Sequence, residues 1–127
     1  MQATLFVFLG AGLGGVLRHG VNLAAARAFG TDFPWGTLTV NVVGSLVMGL
    51  LAGWLALKAG EGWSQHVRLF LATGVLGGFT TFSAFSLDVV LLWERGQVAA
   101  AGTYTAASFI LSIIGLAVGL FLIRSMS

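Results

Sequence analysis

Four stretches of this chain contain no aspartate, glutamate, lysine or arginine: residues 1–17, 33–57, 69–87 and 96–123. Each approaches or exceeds the ~20 apolar residues with which a helix crosses about 30 Å of hydrocarbon. In lipid the backbone must satisfy its own N–H and C=O groups, so a spanning segment is either a helix or one strand of a closed barrel. The apolar and polar alternation of a barrel strand is absent from these stretches. The sequence therefore predicts an all-α integral membrane protein, one transmembrane domain over residues 1–127 with four helices at about 3–28, 34–58, 64–94 and 98–124. The connecting loops are short, which makes neighbouring helices antiparallel.

Composition closes the alternatives. The chain is 57% hydrophobic and 8% charged, against roughly 25% charged in soluble domains, so a water-facing surface cannot be built from it. Its six basic residues are scattered, too few for a nucleic-acid surface. It has no cysteine, which excludes disulfides and thiolate metal sites. The opening Met-Gln-Ala-Thr carries no basic residue before the first apolar run, so the first helix is expected to be retained rather than cleaved as a signal peptide. Pro34 suits the first turn of the second helix, and Trp35, Trp63 and Trp93 fall near expected helix ends, where amphipathic rings prefer the interface.

Loop charges give almost no instruction about orientation. With Arg18 set aside as lying within the first helix, one side carries Lys58, Arg68 and Arg124 and the other Arg27 and Arg95. A bias of three against two allows insertion in both directions and an antiparallel pair, or a single orientation fixed by the extra charge. Four helices enclose little interior, so oligomerisation is expected on size alone. Gly10 with Gly14, and Gly115 with Gly119, have the small-xxx-small spacing of close helix contacts, whether within one chain or at a dimer seam.

The third apolar run holds the most informative segment, Gly74 to Ser86. Its three glycines and the adjacent Thr80 and Thr81 argue against a continuous helix. A break at membrane depth frees carbonyls that protein, water or an ion must satisfy, and those around Gly77 and Thr80 could hold a small cation. The alternative is a helix kinked by glycine, with threonine hydroxyls bonded to the preceding turn. Beyond this point Phe82 and Phe85 share a face, with Ser83 and Ser86 on an adjacent one. Aromatic edges carry partial positive charge and attract anions.

Two polar stripes accompany them. Thr37, Asn41 and Ser45 follow i, i+4, i+8 in the second helix; Tyr104, Ser108 and Ser112 do so in the fourth, with Thr105 beside them. Taken singly, such residues are interhelical glue. Taken together they make a lining of donors poor in carboxylates, which suits an anion that exchanges its hydration shell for N–H and O–H groups. Arg18 either lines an aqueous vestibule or pairs with Asp88, the only acid well inside an apolar run. No hydrolase constellation, P-loop or dinucleotide fingerprint is present, and His19 and His66 are isolated, so the chain reads as non-enzymatic.

Gly14-Gly15-Val16-Leu17-Arg18, the run from Gly36 to Gly44 that contains Val40-Asn41, and the segment from Gly74 to Ser86 resemble the signatures of the fluoride channels called Fluc or CrcB. The resemblance covers nearly the whole chain in order, spacing and length. It implies an antiparallel, dual-topology homodimer in a bacterial plasma membrane, with two pathways that passively release cytoplasmic fluoride. It further implies that Phe82 and Phe85 form an aromatic box, Asn41 is a pore-lining donor, and Tyr104 and Ser112 are polar wall groups. From the residues themselves, Thr37, Ser83 and Ser108 are expected on the same pathway, and Arg18 at a vestibule unless it pairs with Asp88. The carbonyls of Gly77 and Thr80 would hold a structural sodium, four oxygens about the two-fold axis. His19 departs from the aromatic that follows the arginine in many relatives.

Two other classes remain for comparison. Dual-topology drug exporters of similar size depend on a glutamate in the first helix, where this chain has Arg18 and no acid. A non-transporting scaffold subunit would use the same glycines and stripes for packing alone, and would show no ion flux.

Overall fold

The computed structural model describes residues 2–126. All regular structure among them is helical: α1 Gln2–Phe29, α2 Trp35–Leu57, a third span over Ser64–Glu94, and α6 Val98–Met126. All four spans are long and apolar enough to cross a bilayer. Gly30 and Gly96 end helices with positive φ, of 80° and 79°, a region open to glycine at no steric cost. The Gln97 N–H then donates back to the Leu92 carbonyl at 3.0 Å, and the next helix starts at once. Pro34 stands at the N-cap of α2, where its missing N–H costs nothing.

The third span is compound. A short helix α3 (Ser64–Val67) continues as a π-helix over Arg68–Leu76, then α4 (Gly77–Phe79), and after an interruption α5 (Phe82–Glu94). The interruption falls on the threonines rather than the glycines: Thr80 and Thr81 are both extended, with ψ of 156° and 131°.

Glycine decides how closely the spans approach. A Cβ on Gly14 would collide with the Val75 carbonyl, and one on Gly10 with that of Phe70, so α1 lies backbone to backbone on the π segment. On the other side, a Cβ on Gly119 would meet the Leu46 carbonyl and one on Gly49 that of Leu116, which seats α6 on α2. Both small-xxx-small pairs are thus engaged within the chain. α5 packs on α6 through a small core of Phe85, Leu92, Ala101 and Tyr104. The exterior is apolar, with Phe8, Val16, Ile113 and Phe121 exposed along the spans. It is the inverse of a soluble surface, and the chain is a multi-pass membrane protein.

Candidate functional site

The interruption is held by side chains. Thr81 caps α5, its hydroxyl accepting from the Ala84 N–H at 3.3 Å, and its own N–H donates to Asn41 Oδ1 across the gap to α2 at 3.2 Å. Thr80 ends the preceding limb, with both its N–H and its hydroxyl donating to the Leu76 carbonyl at 2.9 Å. The consequence lies in what is left over. Among the described residues no hydrogen bond reaches the carbonyls of Gly77, Gly78, Phe79 or Thr80. Because a backbone N–H fixes Oδ1 of Asn41 as acceptor, its Nδ2 keeps two donors for other partners.

Asn41 is one wall of a groove of about 290 Å³ between α2, α5 and α6, whose lining also includes Thr80, Phe82, Phe85, Ser108 and Ser112. The hydroxyls of Ser108 and Ser112 are buried there without a hydrogen-bond partner. Their neighbours behave differently: Thr105 bonds back to the Ala101 carbonyl at 2.8 Å and Ser86 to that of Phe82 at 3.0 Å. Ser108 and Ser112 thus border the groove with covered hydroxyls that are unpaired among the described residues, and turning either side chain toward water or a solute in the groove would recover the missing hydrogen bond. Phe82 and Phe85 stand 5.6 Å apart between ring centroids; Phe85 is 7% exposed and Phe82 69%, so one ring belongs to the wall and the other to the rim. No residue of the lining ionises.

Beyond Phe85 lies Tyr104, 5.2 Å away between centroids and fully buried. Its hydroxyl donates to Asp88 Oδ2 at 3.0 Å, and Thr37 stands beside it. Thr37 and Asp88 in turn line a second cavity of about 320 Å³ that opens near Asp32 and Arg95. The Tyr104 layer thus separates the groove from one end of the bundle.

Asn41, Phe82, Phe85, Ser108 and Ser112 come together in one groove, and Thr37 and Tyr104 continue from it. Ser83 does not line the groove; it is exposed and bonds to the Thr81 hydroxyl at 3.2 Å. Arg18 is half-buried on α1, outside the groove lining, and among the described residues it forms no ion pair with Asp88, whose carboxylate is taken by Tyr104. Gly77 and Thr80 flank the freed carbonyls. Two features are not visible in the sequence. Thr81 stands out there with Thr80 as a helix breaker, but no pattern pairs it with Asn41, forty positions away. Phe109, 5.6 Å from Phe85 between centroids, sits one position off the serine stripe.

Residues 5–120 match the family described as CrcB-like protein, Camphor Resistance (CrcB). A relative from Rhodopseudomonas palustris (strain BisB5), named fluoride-specific ion channel FluC, is 58% identical over 97% of this chain and 98% of its own length. One from Nitrobacter hamburgensis, fluoride-specific ion channel FluC 2, is 54% identical over the same shares. A third, from Beijerinckia indica subsp. indica, is 54% identical over the full length of both chains. Agreement of this extent, end to end, leaves the chain as a member of the CrcB family.

Proposed function

We propose that this chain is a fluoride-selective channel that passively releases fluoride from the bacterial cytoplasm. The observation that carries the reading is the groove: two buried serine hydroxyls with no partner among the described residues, the Asn41 amide and the rings of Phe82 and Phe85, with no carboxylate and no cation in the lining. A small anion leaving water has to exchange O–H donors for equivalents, and here they are already desolvated and unspent. Neutral donors bind without the strength of a fixed cation, which leaves the ion free to move on. Thr37 and Tyr104 extend the route toward the second cavity. The relatives' name, fluoride-specific ion channel, agrees with this chemistry.

The working unit is an antiparallel homodimer with two such routes. The chain exposes 7681 Å², against roughly 6,400 Å² for a compact soluble monomer of its mass. The groove is open on the side where Phe82 is exposed, and a second copy supplies the missing wall. Near-equal loop charges permit the two opposite insertions this requires. The carbonyls of Gly77 and Thr80 fit a structural sodium, because no hydrogen bond among the described residues satisfies them and an orphaned carbonyl at membrane depth needs a partner. Two from each copy would give four oxygens about the two-fold axis. A sodium bound there would neutralise the carbonyl dipoles and tie the two interruptions together.

The test is fluoride release from liposomes containing the purified protein, read by a fluoride electrode, with valinomycin carrying the balancing potassium current. Rapid fluoride release without chloride release is expected. A folded, reconstituted protein that releases none would overturn the channel reading and leave a scaffold or exporter.

A further inference from the structure

One face of α2 lines three cavities in succession. Thr37 borders the cavity near Asp32; Asn41, Ser45 and Met48 border the groove; Met48, Ala52, Ala56 and Ala59 border a basin of about 640 Å³ at the opposite end. Within α2 the polar stripe thus runs on through Met48 to Ala52 and Ala56 at helical spacing, with Ala59 in the turn just beyond the helix. Met48 is the residue common to the linings of groove and basin. Alanines and a threonine make up much of the basin's wall on α2 and the π segment, beside Leu55 and Met48, and the basin is wet in character, with Ser64, Gln65, Arg68 and Thr73 around it. Arg68 forms no ion pair with Glu61, the acid in the same lining, among the described residues.

We infer that Met48 is the constriction at which fluoride, hydrated in the basin, gives up water to enter the groove, and that Arg68 draws anions into that basin. This rests on the channel reading above. On the groove side of Met48 the ion meets Ser112 and Asn41; on the basin side there is room for a hydrated ion. An apolar narrowing between two wet volumes controls passage by dewetting, and an unbranched thioether with three rotatable bonds swings aside where a branched side chain cannot. The position therefore sets the rate of passage at this end of the route.

The absence of cysteine makes the test direct. Single thiols are introduced by Met48→Cys and, separately, Ala56→Cys, and reconstituted protein is treated with a small sulfonate-bearing methanethiosulfonate. Modification is read by mass and function by fluoride release. Both thiols are expected to react; release falls to the leak of empty vesicles for Met48→Cys and persists for Ala56→Cys, where the basin is wide. Met48→Leu, which refills the position with a branched side chain, is expected to fold as the parent does and to conduct more slowly, and untreated Met48→Cys is expected to conduct, which separates the effect of modification from misfolding. Adding Arg68→Gln is expected to slow modification at position 56 by about two- to threefold at low salt and hardly at all at high salt. A fully modified Met48→Cys that still conducts would overturn the constriction alone. An Ala56→Cys that stays unmodified in a conducting channel would show the basin to be covered and overturn the route. A parent protein that releases no fluoride would overturn the channel reading and this inference together.

Discussion

Asn41 performs two tasks with opposite ends of one amide, and two substitutions separate them. Its Oδ1 accepts the Thr81 N–H at 3.2 Å, and its Nδ2 has no partner among the described residues. Asn41→Ala removes both. It leaves the Thr81 N–H unsatisfied at the point where α5 begins, which costs about 1–3 kcal/mol of stability. Asn41→Asp keeps an oxygen for Thr81, now charge-assisted, but replaces the donors by an anion. A fluoride ion about 4 Å from that carboxylate, at an effective dielectric of about 20, is disfavoured by about 4 kcal/mol, roughly a thousandfold in occupancy. Asn41→Asp is therefore expected to stay folded and dimeric on size exclusion, with a thermal midpoint somewhat below the parent's because a carboxylate at this depth is costly, and to lose nearly all fluoride release from liposomes. Asn41→Ala is expected to lose stability as well as flux. Release by Asn41→Asp at the parent rate would refute the assignment of the Asn41 amide to the pathway, whatever the stability data showed.

Ser108→Ala and Ser112→Ala each delete a hydroxyl that satisfies nothing; thermal unfolding in detergent is expected at or above the parent midpoint while fluoride release falls, and a loss of stability would mean the hydroxyls are structural glue. Phe82→Ile alters an exposed ring, so folding is expected to be unaffected and flux reduced in the same liposome assay. Gly14→Val drives a side chain into the Val75 carbonyl; destabilisation of about 2 kcal/mol or more is expected, read as a lowered unfolding midpoint or failure to recover folded protein. Replacing sodium by a large organic cation is expected to weaken the dimer, measured by subunit exchange, and a dimer indifferent to sodium would remove the carbonyl site.

The four spans were legible because hydrocarbon imposes a single demand, an uninterrupted stretch without charge, and the charge-free runs at 33–57 and 96–123 meet it unaided. Faces were legible where helical periodicity held: Ser108 and Ser112 share a wall because four residues make about one turn. Periodicity fails where the backbone departs from the α-helix. The π-helix over Arg68–Leu76 shifts every later side chain of that span, and no residue type marks it. The threonine interruption was visible as a composition anomaly, yet its location at Thr80 and Thr81 depends on Asn41, whose distance in sequence hides the bond. Asp88 illustrates the same limit. Charge alone suggests Arg18 as its partner, whereas helix packing brings the Tyr104 hydroxyl to it first.

The interruption at Thr80 and Thr81 also has an electrostatic meaning. One helical limb ends there and another begins, so the negative pole of the first and the positive pole of the second face each other across two residues. Freed carbonyls gather on one side and the leading N–H groups of α5 on the other. Within the hydrocarbon, where a lone lysine or glutamate is expensive, this gives the chain adjacent places for a cation and an anion without an ionisable side chain. Both poles are made of peptide groups, so they stay fixed as the surroundings turn acidic, the condition under which fluoride enters cells as neutral HF.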